Sequence, residues 1–316
     1  MKNRLALLLG GLLTVAGSTA PAAPLQRADV PGTAIWLAHA DCDGLRPTVV
    51  GQYLLAEMEK PEAQEKFAAF QAIFSFDPRK QLHGLTIFST GSRAEDPVLL
   101  MYADFDPERL ATLAKAAKDS QITTHNQHTI YNWVDEKKAA KDGVQPRTFA
   151  AISGRNIIVF GQQEAPVVQA LDVLDRTAPG LAATAFPQLG TPGGTSLIEA
   201  ATQKLDAAAT DPSAAVFRLA KRLQLQLGEV SRQVTGRLVL EAGDESLAKT
   251  MATVAQGLVG LMKLQANKPD AVKFAESLSF AQDGPNVTIS LAMTAEDIVA
   301  SMKADAARKA KSADKK

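Results

Sequence analysis

The sequence predicts an α+β protein made of two similarly ordered halves, each a mostly antiparallel sheet with helices packed on a face. Three observations carry that expectation. Apolar-polar alternation of period two marks many short strands. The order strand, helix, two strands, helix, two or more strands, helix can be written once on each side of the stretch FPQLGTPGGTS, Phe186 to Ser196. Consecutive strands are joined by short turns, which favours antiparallel pairing over the crossover connections of a doubly wound fold.

The chain opens with MKNR, then LALLLGGLLTVAG and STAPAAP, which are the basic, apolar and small-residue parts of a secretory signal peptide. Residues 1–22 are the expected leader, cut after Ala22, because cutting after Ala20 or Ala23 would leave a proline at the new terminus. The apolar stretch falls short of the roughly 20 residues that span a bilayer, so no transmembrane anchor is expected after cleavage. Loss of Lys2 and Arg4 leaves 32 of the 34 basic residues against 34 acidic ones, a net charge of −2. Nucleic acid and anionic membranes are therefore disfavoured as partners, since both ask for a basic surface. The remaining 294 of 316 residues suit two ordinary domains, and 46% hydrophobic with 5% aromatic residues implies an aliphatic core. Cys42 is the single cysteine, so no internal disulfide can form, and it reads as a small buried residue rather than a reactive thiol.

In the first half, residues 23–185, Thr33 to Asp41 is the first strand. Its period places His39 with Ile35, Leu37 and Asp41, away from Cys42, which disfavours a Cys-His nucleophilic pair. Asp41-Cys42-Asp43-Gly44 lacks the further oxygen ligands of a calcium loop and reads as a helix cap. Arg46 to Glu59 is expected to be helical, and Pro61 starts a second helix whose Phe67, Phe70 and Phe74 form one apolar stripe, the mark of a core face. Strands at Leu82 to Thr90 and Pro97 to Asp104 follow. Asp106-Pro107-Glu108 then opens a helix that buries Leu110, Leu113 and Ala117, so Asp104-Phe105-Asp106 is explained by a strand end and a cap.

Gln121 to Val134, QITTHNQHTIYNWV, is the most distinctive stretch. Beta-rich segments around Asn126-Gln127 predict a two-residue hairpin in which His125 and His128 face each other about 5 Å apart at Cβ. Two imidazoles so placed would share a transition metal if a third ligand arrived from elsewhere. His125, His128, Tyr131 and Trp133 are the candidate ligand-binding residues. Residues 135–147 are a charged loop, Phe149 to Gln162 a second hairpin turned at Gly154 to Asn156, and Glu164 to Asp175 a helix with Val167, Val168, Leu171 and Leu174 inward.

Residues 186–196 read as a Gly/Pro-rich linker, a hinge or spacer without the lysine of a phosphate loop. The second half, residues 197–303, continues the strand begun at Thr195 to Thr202. A helix introduced by Asp211 covers Pro212 to Lys221, and a strand alternates Leu223, Leu225 and Leu227 with Gln224, Gln226 and Gly228. Val234 to Glu241 pairs with it through a turn near Ser231. Asp244 caps the longest mature helix, whose Leu247, Met251, Val254, Leu258 and Leu261 recur at steps of four and three. Two more alternating strands turn at Asp283-Gly284-Pro285, and Thr294 to Asp297 resembles a capping box for the last helix. From Ala304 the chain is Ala, Lys and Asp without an apolar face, a disordered tail over 304–316. Strands of the first half are apolar on both faces, which implies a sheet covered twice. Those of the second keep a Gln, Ser and Thr face wet.

At HTIYNWVDE, IIVFG and VVQALDVLD the chain resembles a group of exported bacterial proteins of unknown function, mainly over residues 97–175. The resemblance implies secretion and a similar fold, and brings no activity, cofactor or catalytic residue. No Gly-x-Ser-x-Gly, His-Glu-x-x-His or Gly-x-Gly-x-x-Gly occurs. Three functions remain: an exported, non-enzymatic protein binding a small ligand or a protein partner through a sheet face or the cleft between halves; a metal-dependent hydrolase or metal-binding protein using His125 and His128, with His39 or His83 as a further ligand; and a structural assembly or surface component.

Overall fold

The computed structural model describes residues 24–313 apart from 94–95, 137, 139–144, 155, 191–195, 204–218 and 266–268. The leader, the core of the Gly/Pro-rich stretch and most of the helix expected after Asp211 lie outside the described residues. The rest is α+β, built on one antiparallel sheet of twelve strands.

In chain order the strands are β1 Trp36–Asp41, β2 Leu82–Ser89, β3 Val98–Ala103, β4 Gln121–His125, β5 His128–Val134, β6 Arg147–Ser153 and β7 Ile157–Gly161 in the first half. The second half adds β8 Ser196–Thr202, β9 Arg222–Val230, β10 Gln233–Glu241, β11 Leu278–Asp283 and β12 Asn286–Thr294. The spatial order is β11-β12-β10-β9-β8-β1-β2-β3-β7-β6-β5-β4. Read outward from the central β1/β8 pair, each half lays down its first three strands in sequence, then its last strand, then the one before it. The β4-β5 hairpin is the addition at the far edge of the first half. The halves are thus joined by main-chain pairing of Trp36 to Ala40 with Ile198 to Thr202, and do not form two separate sheets.

The helices are α1 Cys42–Leu45, α2 Val49–Met58, α3 Pro61–Phe74, α4 Pro78–Gln81, α5 Pro107–Ala116 and α6 Glu164–Leu174, followed by α7 Glu245–Lys263, α8 Pro269–Glu276 and α9 Ala295–Ala313. Their starts follow the capping chemistry in the sequence. Asp41 accepts from Gly44 N at 2.8 Å, Asp106 from Glu108 N at 3.0 Å and Asp244 from Leu247 N at 2.8 Å. The helix expected from Arg46 to Glu59 is broken at Pro47, and Thr48 caps the longer piece through Gly51 N at 2.9 Å.

One sheet face carries the main core. Leu37, Phe88, Val98, Leu100, Ile130, Ala151, Ile157 and Val159 pack there against Val167, Ala170, Leu171 and Leu174 of α6. Leu25, Val30, Leu181, Phe186 and Leu189 complete it. Phe186 is fully buried, so the first part of the expected linker is core and not a spacer. Arg27 fixes it, donating from Nη1 to Phe186 O at 2.8 Å and Leu189 O at 3.0 Å, and from Nη2 to Ala182 O. In the second half, the opposite face is the buried one, with Leu240 and Val287 against Ala248 and Met251 of α7.

The expected disordered tail is also corrected, because α9 continues to Ala313. Ala, Lys and Arg are strong helix formers even without an apolar face, and Arg308 pairs with Asp305 within the helix.

Candidate ligand-binding site

On the face opposite α6, the first half leaves a cavity of about 510 Å3 between the sheet and two helices. Its floor is set by strand register. Tyr131 lies beside Ala150, which lies beside Phe160, and Ile152 lies beside Ile158, which lies beside Met101. Trp133 extends this floor at β5, and Ala103 at β3. The roof is Leu110, Leu113, Ala114 and Ala117 from α5 and the segment after it, with Phe70, Ile73 and Phe74 from α3. Every described lining side chain is apolar or aromatic, and among the described residues the only polar side-chain atoms in the wall are the phenol oxygen of Tyr131 and the indole nitrogen of Trp133.

The roof helix α3 explains why a cavity exists. Pro61 starts it, and Ser75 ends it in the left-handed region at φ 51°, with Ser75 N donating to Gln71 O at 2.8 Å. Its phenylalanine stripe was expected to be core, yet no described side chain of α3 is fully buried, and Phe70 and Ile73 are 38% and 50% exposed. The stripe is a wall facing open space. Phe70 stacks on Phe74 with ring centroids 4.5 Å apart and meets the edge of Phe76 at 6.1 Å. Arg109 of α5 holds the last turn, donating from Nε to Ile73 O at 2.7 Å and from Nη2 to Ala72 O at 2.6 Å. A cation on the final carbonyls also complements the helix dipole. At the other end, the Arg79 guanidinium lies 5.7 Å from the Phe67 ring centre.

The four candidate residues from the sequence are divided between the two faces. His125 and His128 are direct cross-strand partners, as the turn at Asn126-Gln127 predicts. Both point to α6: His125 Nε2 lies 2.7 Å from Asp172, and His128 Nε2 lies 2.9 and 3.0 Å from the Asp175 oxygens. These contacts fasten the hairpin tip to the last turn of α6. Tyr131 and Trp133 face the other way, into the cavity. Among the described residues, no group of three or more His, Cys, Asp or Glu side chains is placed to hold a metal ion.

The remaining histidines are engaged elsewhere. His39 is buried, with Nδ1 2.8 Å from Thr86 Oγ1. His83 sits between Asp43 at 2.8 Å and Asp104 at 3.0 Å. Cys42 is half-buried, and burial pushes its thiol up to about 11, which suppresses the nucleophilic thiolate.

No family model and no curated protein matches the chain. Solved structures do. Crystal form III of TP0453, a Treponema protein, superposes over 88% of this chain and 96% of its own, with a TM-score of 0.51 and 10% identity. The fold resembles that of TP0453. Crystal form I of the same protein aligns over 90% of this chain and 98% of its own at a TM-score of 0.48, also with 10% identity. At such identity the likeness concerns chain topology alone and assigns no ligand.

The roof helices were missed as a site because a helix stripe has one sequence pattern whether it meets side chains or a void. The available signal was compositional: three phenylalanines on α3 in a chain with 5% aromatic residues, and Tyr131 and Trp133 two residues apart on one strand face.

Proposed function

We propose that this protein is an exported, non-enzymatic binding protein that carries an apolar ligand of hydrocarbon character under α3 and α5. The single observation behind this reading is the cavity. Its size falls within the roughly 300–1,000 Å3 range of small-molecule sites. The wall stands open to solvent, with Phe70 and Ile73 38% and 50% exposed, and apolar surface kept in water forgoes roughly 25 cal/mol per Å2. Such a wall is stabilised when something apolar covers it.

The chemistry of the wall also selects. With no charge and two polar atoms in it, the site rewards area removed from water and offers nothing to an ion or a sugar. A saturated chain gains ~0.8 kcal/mol per buried CH2, so about fifteen methylenes give roughly 12 kcal/mol. Subtracting ~4 kcal/mol or more for association leaves a dissociation constant near micromolar. The leader expected at residues 1–22 would place this activity outside the cytoplasm.

Native mass spectrometry of protein purified from its own host, followed by solvent extraction, tests the reading. A bound species that partitions into organic solvent is the expected result. Purely ligand-free protein that also takes up no long-chain fatty acid on mixing would defeat it.

A further inference from the structure

The second half carries a different kind of surface. Among the described residues, the polar face of β10, β12 and β11 opens into a groove of about 770 Å3 beside the buried seam, whose Gln188 covers Gln224 of β9, and a smaller hollow of about 140 Å3 adjoins it across Arg237. We propose that this groove binds a neutral, extended carbohydrate, independently of the apolar cavity.

The strand register makes the face a grid. Arg222, Glu241, Asn286 and Asp283 form one row, and Gln224, Val239, Thr288 and Ala281 the next. Gln226, Arg237, Ser290 and Ser279 form the third. Rows are about 7 Å apart and neighbouring strands about 4.8 Å apart. One wall is rigid: Gln224 accepts from Gln188 N at 3.0 Å, and Gln226 donates to Gln188 O at 2.6 Å and to buried Glu199 at 2.9 Å.

Facing that wall are side chains whose hydrogen-bonding capacity is unused. Arg237, Asp283, Asn286, Thr288 and Ser290 have no side-chain partner among the described residues, and their polar atoms stay open to solvent and to a ligand. Together they offer a guanidinium, an amide, two hydroxyls and a carboxylate spread over three rows. Sugar hydroxyls, each one donor and two acceptors, match such a mixed set.

Other ligand classes fit worse. A polyanion would find no net positive charge, because Arg222 is paired with Glu241 at 3.1 Å and Arg237 is offset by Asp283. A free amino acid would have to bridge from Arg237 to the row of Glu241, four residues or about 14 Å along the strand. A hydrocarbon would strand the amide and hydroxyl groups.

The test is an amide-resolved NMR titration of the mature chain with maltotriose, cellotriose and chitotriose, using tri-alanine as control. The expected result is saturable shifts confined to β9, β10 and β12 for at least one sugar. Arg237→Ala and Thr288→Val should each weaken that binding about tenfold with unchanged thermal midpoints. The idea fails if no trisaccharide gives saturable shifts, if the shifts fall on the α3/α5 cavity, or if tri-alanine reproduces them. Fatty-acid binding measured in the same samples keeps the two sites separable, since the groove variants should leave it unaltered.

Discussion

Replacing Ala150 with Phe should stabilise the protein and abolish ligand binding at the same time. Ala150 is 8% exposed and lines the cavity, and its cross-strand neighbours Tyr131 and Phe160 are lining residues too. A ring at position 150 therefore projects into unfilled space between two aromatic rings. Burying it gains roughly 1.5–3 kcal/mol from area removed from water, and each aromatic pair adds about 0.5–1.5 kcal/mol. Some of this is lost because Phe gives up rotamer freedom, so a net stabilisation of about 2 kcal/mol is expected. In a filled core the same change would overpack and cost about 1–3 kcal/mol. Urea unfolding gives the stability, and a fluorescent fatty-acid displacement assay gives the affinity, which should drop at least tenfold. Destabilisation by more than about 1 kcal/mol would show that the space is absent. Stabilisation with intact binding would place the ligand elsewhere.

Further outcomes follow from single contacts. Gly190 sits at φ +62°, and a Cβ there would lie 3.1 Å from the Arg27 side chain that fastens the seam, so Gly190→Ala should cost about 1–2 kcal/mol; an unchanged urea midpoint would mean the seam carries no such strain. Cys42, with its thiol pushed up to about 11, should resist Ellman's reagent at pH 8 in the native state and react at once in denaturant, whereas rapid native reaction would refute its protection. Side-chain hydrogen bonds from Arg79 hold the Asp77 carboxyl below its usual range. A folded value below the unfolded one contributes stability above about pH 3.9 that is lost as pH falls through the folded value. Asp77→Asn should therefore flatten the acid side of the stability curve below about pH 4, and an unaltered slope there would assign that limb to other carboxylates.

Element order was legible because capping and alternation are local. Asp41, Asp106 and Asp244 announce their helices, and Asn126-Gln127 places His125 opposite His128 as observed. What joins the elements was not legible. Nothing local says that Trp36 to Ala40 pair with Ile198 to Thr202, so two halves fuse into one sheet unannounced. The polar face of the second half could be read from Thr288 and Ser290, which stay half-buried, whereas Gln224, expected to be wet, is 4% exposed beneath Gln188, a contact that no alternation pattern announces. The cavity could not, since Phe67, Phe70 and Phe74 repeat at the spacing of any core helix. Only the stand-off of α3, held by Arg109 and bounded by Ser75, turns that stripe into a wall.

Trp133 offers the most direct test of the cavity, because it is one of only two tryptophans and lies in the wall. In a Trp36→Phe variant, titration with a dibrominated stearic acid should quench the Trp133 emission saturably, with a midpoint near micromolar and competition by unlabelled stearate. Trp133 emission that stays unquenched while the fatty acid binds, or no binding at all, would contradict the assignment of an apolar ligand to the space beneath α3 and α5.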